Sequence, residues 1–177
     1  MTNIEKWNLI VNDYKQLYGS LEAKIQEKWE QYCSALFNYQ KLFNEIDTQK
    51  HLAVGSGNTL IPDIILRIND KDIFDIELKQ YNLIFNNSFE TQLISYFNQT
   101  HLSVGMVVCH KIYLFYYEYE TATINKIEIP FEKDNQDGIT LVEILTKDYF
   151  SIEKIKNFVL NKIKHEQNVL AIKKFLI

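Results

Sequence analysis

The sequence is poor in cysteine, proline and glycine, and it lacks any long apolar run. Of 177 residues, two are cysteine, two proline and five glycine, so no Pro/Gly-rich linker divides the chain. Cys33 and Cys109 have no CxxC spacing and predict buried thiols of a reduced cytoplasm. The four histidines lack zinc-ligand spacing. The absence of a long apolar run and of a signal-peptide cleavage site predicts no membrane partner and a cytoplasmic location.

Net positive charge is also missing. The formal charge is -4, which gives no overall argument for nucleic-acid binding. Lysine is nevertheless concentrated near the C-terminus, where residues 151–177 predict a basic helical segment. This segment could contact phosphates, although a solvated helix face is the more usual role of such a charge run.

What remains is a chain of 46% apolar and 24% charged residues, which predicts one globular domain over residues 1–177. Hydrophobic periodicity predicts helices, capped where Ser20, Ser88 and Ser151 precede them, alternating with strands. In chain order we expect helix 4–18, helix 21–39, a short strand near 45–49, a turn-rich connection around Gly55 and Gly57, strands 61–68 and 73–78, helix 88–99, two strands turning near His110, a strand near 123–131 and helix 151–165. This order predicts an α/β fold with a mixed central sheet flanked by helices.

Two of the predicted strands form a hairpin that carries charged residues. A turn over 69–71, centred on Asp70, places Asp63 directly opposite Glu77, with Cβ atoms about 5 Å apart. Period-two alternation puts Glu77 and Lys79 on one face of the strand. Asp75 shares that face one pleat back, where it is either a supporting residue or solvated.

Two facing carboxylates repel each other unless a cation lies between them. Mg²⁺ suits such a site, because it prefers one or two carboxylates plus water and substrate phosphate. A nearby lysine can orient or help deprotonate an attacking water and stabilise the transition state. Acid-x-lysine triplets also occur at Asp13 and at Glu22, so the pattern alone fits an exposed ion-paired edge equally well.

The order of these motifs resembles the PD-(D/E)xK nuclease superfamily. "IPD" and "IELK" match its signature with Asp63, Glu77 and Lys79, and "QLISY" matches the Gln-x-x-x-Tyr motif of the RecB-like branch with Gln92 and Tyr96. That branch includes the N-terminal nuclease domains of type I restriction enzyme R subunits. The resemblance implies a restriction-endonuclease-like core, with Gln92 orienting the lysine or substrate and Tyr96 supporting it.

The resemblance covers about residues 20–160 and implies a ligand set for the metal. Asp63, Glu77 and the carbonyl of Leu78 would hold Mg²⁺ or Mn²⁺. The family often adds an acid from the first helix, and Glu22 is our candidate because it projects near the centre of that helix's apolar stripe. A role in the first turn of the helix is the alternative for Glu22.

We therefore expect a metal-dependent nuclease that hydrolyses phosphodiester bonds, with DNA as substrate and RNA not excluded. A homodimer or a larger restriction-type complex is compatible with this expectation. The alternative is a catalytically inactive module of the same fold that binds nucleic acid or a partner protein.

Overall fold

The computed structural model of the chain describes residues 1–48, 50–54 and 58–175. The predicted Gly55 and Gly57 turn lies outside these residues. The helices and strands are α1 (Asn3–Lys15), α2 (Glu22–Ala35), β1 (Ile46–Asp47), β2 (Leu52–Val54), β3 (Asn58–Leu60), β4 (Ile64–Ile68), β5 (Lys71–Leu78), α3 (Asn87–Thr100), β6 (Val104–Val108), β7 (Lys111–Glu118), β8 (Thr123–Pro130), α4 (Gln136–Leu145) and α5 (Ile152–Phe175).

The main sheet has six strands in the order β1-β4-β5-β6-β7-β8, and the short strands β2 and β3 pair separately. Only the β5–β6 pair is parallel among these neighbours; the others are antiparallel. A parallel pair needs a crossover connection, and α3 provides it. The predicted mixed sheet with helices against it is confirmed.

The two faces of the sheet bury different cores. One face packs residues of α1, α2, α4 and α5, including Trp7 and Trp29, against Phe74, Ile76 and Leu78. The other face packs Leu93 and Phe97 of α3 against neighbouring strands. Strand alternation therefore sends Asp75 and Glu77 towards the face that α3 covers.

The β4–β5 hairpin reaches the predicted register by a different route. Asn69 and Asp70 both have positive φ, at 50° and 60°, as a two-residue type I′ turn requires, so the predicted three-residue turn is wrong. A bulge between Leu66 and Arg67 then shifts the pairing by one residue, and Ile64 lies opposite Ile76. Asp63 consequently occupies the next position, at the end of the hairpin where Glu77 lies.

Several helix boundaries differ from the prediction. Leu21, not Ser20, is the N-cap of α2, and Asn86, not Ser88, caps α3 by accepting a hydrogen bond from the Ser88 amide at 2.9 Å. An Asn side chain competes well for this position, so adjacent polar residues make the start ambiguous. Helix α5 continues beyond its predicted end to Phe175.

Helix α4 was not predicted. Asn135 caps it by accepting a hydrogen bond from the Gly138 amide at 3.0 Å. Gly138 packs directly on Trp7, since an added Cβ would lie 2.1 Å from that ring. Among the helices of the described ranges, none is long and apolar enough to span a membrane.

Candidate active site

Asp63 is held at the start of β4 by contacts with two other elements. Its Oδ2 accepts a hydrogen bond of 2.7 Å from the backbone amide of Leu78, at the end of β5. Its carbonyl oxygen accepts one of 3.2 Å from Gln26 Nε2 on α2. The Asp63 carboxylate is therefore fixed against the strand that carries Glu77.

Glu77 and Lys79 form an ion pair at the C-terminal end of β5. The Lys79 Nζ lies 2.5 Å from Glu77 Oε1. Glu77 is only 1% exposed, and its other oxygen, Oε2, is buried and has no hydrogen-bond partner among the residues that the structure describes. The Lys79 amide donates to the carbonyl of Val108 at 2.8 Å, which fixes this residue against β6. Within the described part of the chain, one carboxylate oxygen of Glu77 is thus buried and unpaired.

Gln92 and Tyr96 of α3 connect this ion pair to the chain that leads into Asp63. Lys79 Nζ donates to Gln92 Oε1 at 3.3 Å, and Gln92 Nε2 donates to the Tyr96 hydroxyl at 2.8 Å. The Tyr96 hydroxyl donates to the Ile61 carbonyl at 3.1 Å. The four-residue spacing of Gln92 and Tyr96 puts both on one helix face, so one side of α3 positions the lysine and anchors the chain before Asp63.

Burial and like charge shift the acids of this cluster in the same direction. Desolvation, followed by the charge of Asp63, raises the pKa of Glu77 to about 7, although Lys79 opposes the shift. Desolvation also raises the pKa of Asp63, against the lowering effect of the Leu78 amide and Lys79. Burial lowers the pKa of Lys79, but Glu77 and Asp63 outweigh burial and raise it overall. Both acids therefore hold a proton more readily than they would in water, whereas Lys79 is kept protonated.

Glu22 and Leu78 are the other two predicted ligand residues. Glu22 is exposed at the first position of α2, although the predicted apolar stripe of that helix centres near its direction. Its charge still acts on Asp63, Glu77 and Lys79. Across the described ranges, no three His, Cys, Asp or Glu side chains form a group that could hold a metal ion. For Leu78, the contact that the structure shows to Asp63 is made by the amide, and a metal-binding role of its carbonyl stays a prediction.

Asp75 is more deeply buried than the sequence pattern indicated. It is fully buried, which rules out the solvated alternative, and neither carboxylate oxygen has a hydrogen-bond partner within residues 1–48, 50–54 and 58–175. Desolvation, followed by the charges of Glu77 and Asp63, raises its pKa well above the ordinary value. Its neighbour on β6 is Gly105, where an added Cβ would lie 2.9 Å from the Phe97 ring, so α3 closes tightly over this position. The sequence signal for the burial of Asp75 was an acid between two apolar residues, Phe74 and Ile76, in a strand that has neighbouring strands on both sides.

Other predicted features play structural roles. Cys33 and Cys109 are free and buried, as predicted. In the basic segment, Lys162 pairs with Asp137 at 2.7 Å, in keeping with an ordinary charged helix face.

Comparison of the chain with protein-family models, with curated proteins and with solved structures found no match. The assignment of function therefore depends on the motif residues and their arrangement.

Proposed function

We propose that this chain is a metal-dependent nuclease with a restriction-endonuclease-like core, hydrolysing phosphodiester bonds of DNA. The observation that carries the proposal is the meeting of Asp63, Glu77 and Lys79 at one end of β5, where a buried Glu77 oxygen has no partner in the described ranges. An ion-paired surface edge would not leave a buried carboxylate oxygen unpaired, because such groups are costly.

The residues fit a hard divalent cation. Asp63 and Glu77 supply oxygen ligands; burial raises the pKa of both, the charge of Asp63 adds to the rise for Glu77, and a cation between them would favour their ionised forms. Mg²⁺ or Mn²⁺ accepts as few as one or two carboxylates when water and phosphate complete its shell. A bound cation would supply a more acidic water and stabilise charge on a phosphoryl oxygen.

The remaining residues would position the reacting groups. Lys79, kept protonated by its neighbours, would orient the attacking water and stabilise negative charge on the phosphate. Gln92 would orient the Lys79 ammonium, because Gln92 Oε1 accepts a hydrogen bond from it. Tyr96 would orient Gln92, because its hydroxyl accepts a hydrogen bond from Gln92 Nε2. Their role would be geometric, and small displacements at such a site lower the rate strongly.

We place this activity in the cytoplasm, in a restriction or DNA-processing role, acting alone, as a homodimer or within a larger restriction-type complex. The free, buried cysteines suit a reducing compartment.

The test is cleavage of DNA with Mg²⁺ by the wild type and by Asp63→Ala, Glu77→Ala and Lys79→Ala. We expect each substitution to abolish cleavage while circular dichroism shows a folded protein. Lys15→Ala is the matched control, since Lys15 belongs to another acid-x-lysine triplet and is exposed on α1. Equal cleavage by the wild type and the three variants would refute the assignment.

A non-cleaving module of the same fold is the second candidate. Two observations favour it: Lys79 is already ion-paired with Glu77, and the described part of the chain has no group of three side chains that could hold a metal ion. Calorimetric titration with Mn²⁺ separates the two. Binding that disappears in Glu77→Ala supports the nuclease, and no binding to the wild type supports the module.

A further inference from the structure

Helix α5 has two parts that differ in packing. Near its start, Ile155 and Val159 are fully buried in the core. Over residues 164–173 every side chain is exposed except that of Val169, which is half-buried. A helical stretch of this length is marginal in water by itself, because most helical stability in proteins comes from the packing of an apolar face. The last turns of α5 therefore present a face that the described part of the chain does not cover.

One side of these last turns carries an acid, two apolar residues and a base in a single row. We call this row the α5 stripe, and it consists of Glu166, Val169, Leu170 and Lys173. Their spacing of i, i+3, i+4 and i+7 places all of them within roughly 100° of arc, so they form one continuous surface along the helix. Leu170 is 59% exposed at the middle of the stripe, and the two charged residues lie at its ends.

Neither charged residue of the α5 stripe forms an ion pair within the described ranges. Lys162 lies one turn before Glu166 but pairs instead with Asp137, at 2.7 Å. Glu166 and Lys173 are about 10.5 Å apart along the helix axis, which is too far for them to pair with each other. The described residues thus leave an acid and a base on one exposed surface without a complement.

We propose that the α5 stripe packs antiparallel on the same stripe of a second copy of this chain, forming a homodimer; this inference does not depend on the proposed nuclease function. A two-fold axis between positions 169 and 170 brings Glu166 of each copy to Lys173 of the other, because the two residues lie equally far from that axis. The same axis places Val169 against Leu170 of the second copy. Such a self-complementary surface is what a two-fold dimer requires.

A nucleic-acid backbone is a poorer complement for the α5 stripe. Its phosphates would attract Lys173 but repel Glu166 on the same surface. Lys164, an exposed cation nearby, projects to the opposite side of the helix and adds nothing to this face. An antiparallel second copy satisfies both charges at once and covers the apolar residues between them. Because the contact spans only about 15 Å of helix, we expect a weak dimer with a dissociation constant of roughly 10 µM to 1 mM.

Sedimentation equilibrium of the full chain across that concentration range measures the dimer. Glu166→Lys or Lys173→Glu alone places like charges opposite each other at both ends of the contact, so each should weaken the dimer about 10- to 30-fold. An equimolar mixture of the two variants should restore dimers, because the charges are complementary again between unlike chains. Lys164→Glu is the matched control: it makes the same charge change as Lys173→Glu on the opposite side of α5 and should dimerise as the wild type does.

A wild type that stays monomeric at the highest concentration would overturn the inference, and so would a dimer that neither single variant weakens. Failure of the mixture to restore dimers would mean that Glu166 and Lys173 do not face each other, which also overturns it. Duplex DNA binding by a monomer, lost in Lys173→Glu, would assign the stripe to nucleic acid instead. None of these results decides the nuclease proposal, because the α5 stripe contains no residue of the candidate active site.

Discussion

Asp75→Val should stabilise the protein, although it replaces a residue in the middle of the sheet. Asp75 is fully buried on β5, and the described part of the chain offers neither of its carboxylate oxygens a hydrogen-bond partner. An unsatisfied buried polar group costs about 1–3 kcal/mol of folding free energy. Valine is close in size to aspartate and suits a buried strand. We therefore expect the free energy of unfolding at pH 7 to rise by about 1–3 kcal/mol.

The stability gained by Asp75→Val should depend on pH. The direction of the pKa shift of Asp75 decides whether this gain grows or shrinks as the pH rises. Burial raises the pKa of Asp75 well above its usual 3.8, so the folded protein binds this proton more tightly than the unfolded chain does. The contribution of such a group is fully present below pH 3.8 and is lost as the pH rises towards the folded pKa. The slope is at most about 1.4 kcal/mol per pH unit. The advantage of Asp75→Val over the wild type should thus grow from pH 4 upwards and shrink in acid.

Urea unfolding followed by circular dichroism between pH 4 and pH 8 measures this difference. For a chain of this length, about 1–3 kcal/mol corresponds to a rise in Tm of roughly 2–12 °C. Asp148→Val is the control, because Asp148 is exposed and its carboxylate remains in water. A destabilised Asp75→Val at every pH would refute the reasoning and would mean that Asp75 is satisfied by an internal water or ion.

Three further predictions follow from the site and the core. Gln92→Ala removes the hydrogen bond to Lys79 and should lower DNA cleavage about 10- to 100-fold, as loss of an orienting partner usually does, which a kcat measurement checks. Mn²⁺ affinity in calorimetry should rise about tenfold per pH unit below pH 7 and level off above it, because the pKa of Glu77 is about 7 and a metal ligand must lose its proton; a flat profile would contradict that assignment. Gly138→Ala should destabilise the fold by about 1–3 kcal/mol in thermal unfolding, since the new methyl group would overlap Trp7, whereas alanine normally stabilises a helix relative to glycine.

The fold could be predicted from the sequence where the pattern was local. The alternation along β5 fixed which residues face α3, and the helical spacing of Gln92 and Tyr96 placed both on one side of α3. Helix α4 escaped prediction because its buried face is specified by a distant partner, Trp7 of α1, and its glycine looks like a loop signal.

In the candidate site, too, local patterns were predictable and features that depend on distant parts of the chain were not. The sequence placed Asp63 opposite Glu77 although it assumed the wrong turn, because the bulge after Leu66 compensated for the two-residue turn. No local pattern distinguishes a bulged hairpin with a short turn from a regular hairpin with a longer one. Glu22 lies in the direction of the predicted apolar stripe and is nevertheless exposed, because helical periodicity gives the direction of a side chain but not what lies at the end of the helix.

By itself, the sequence determined which side chains share a face of β5 and α3, since the periods of strand and helix are properties of the local backbone. Only the tertiary structure decided how much water those side chains retain. The parallel pairing of β5 with β6 and the closure of α3 removed Asp75 and Glu77 from solvent and raised their pKa values. Desolvation depends on every element that packs around a group, and those elements come from distant parts of the chain.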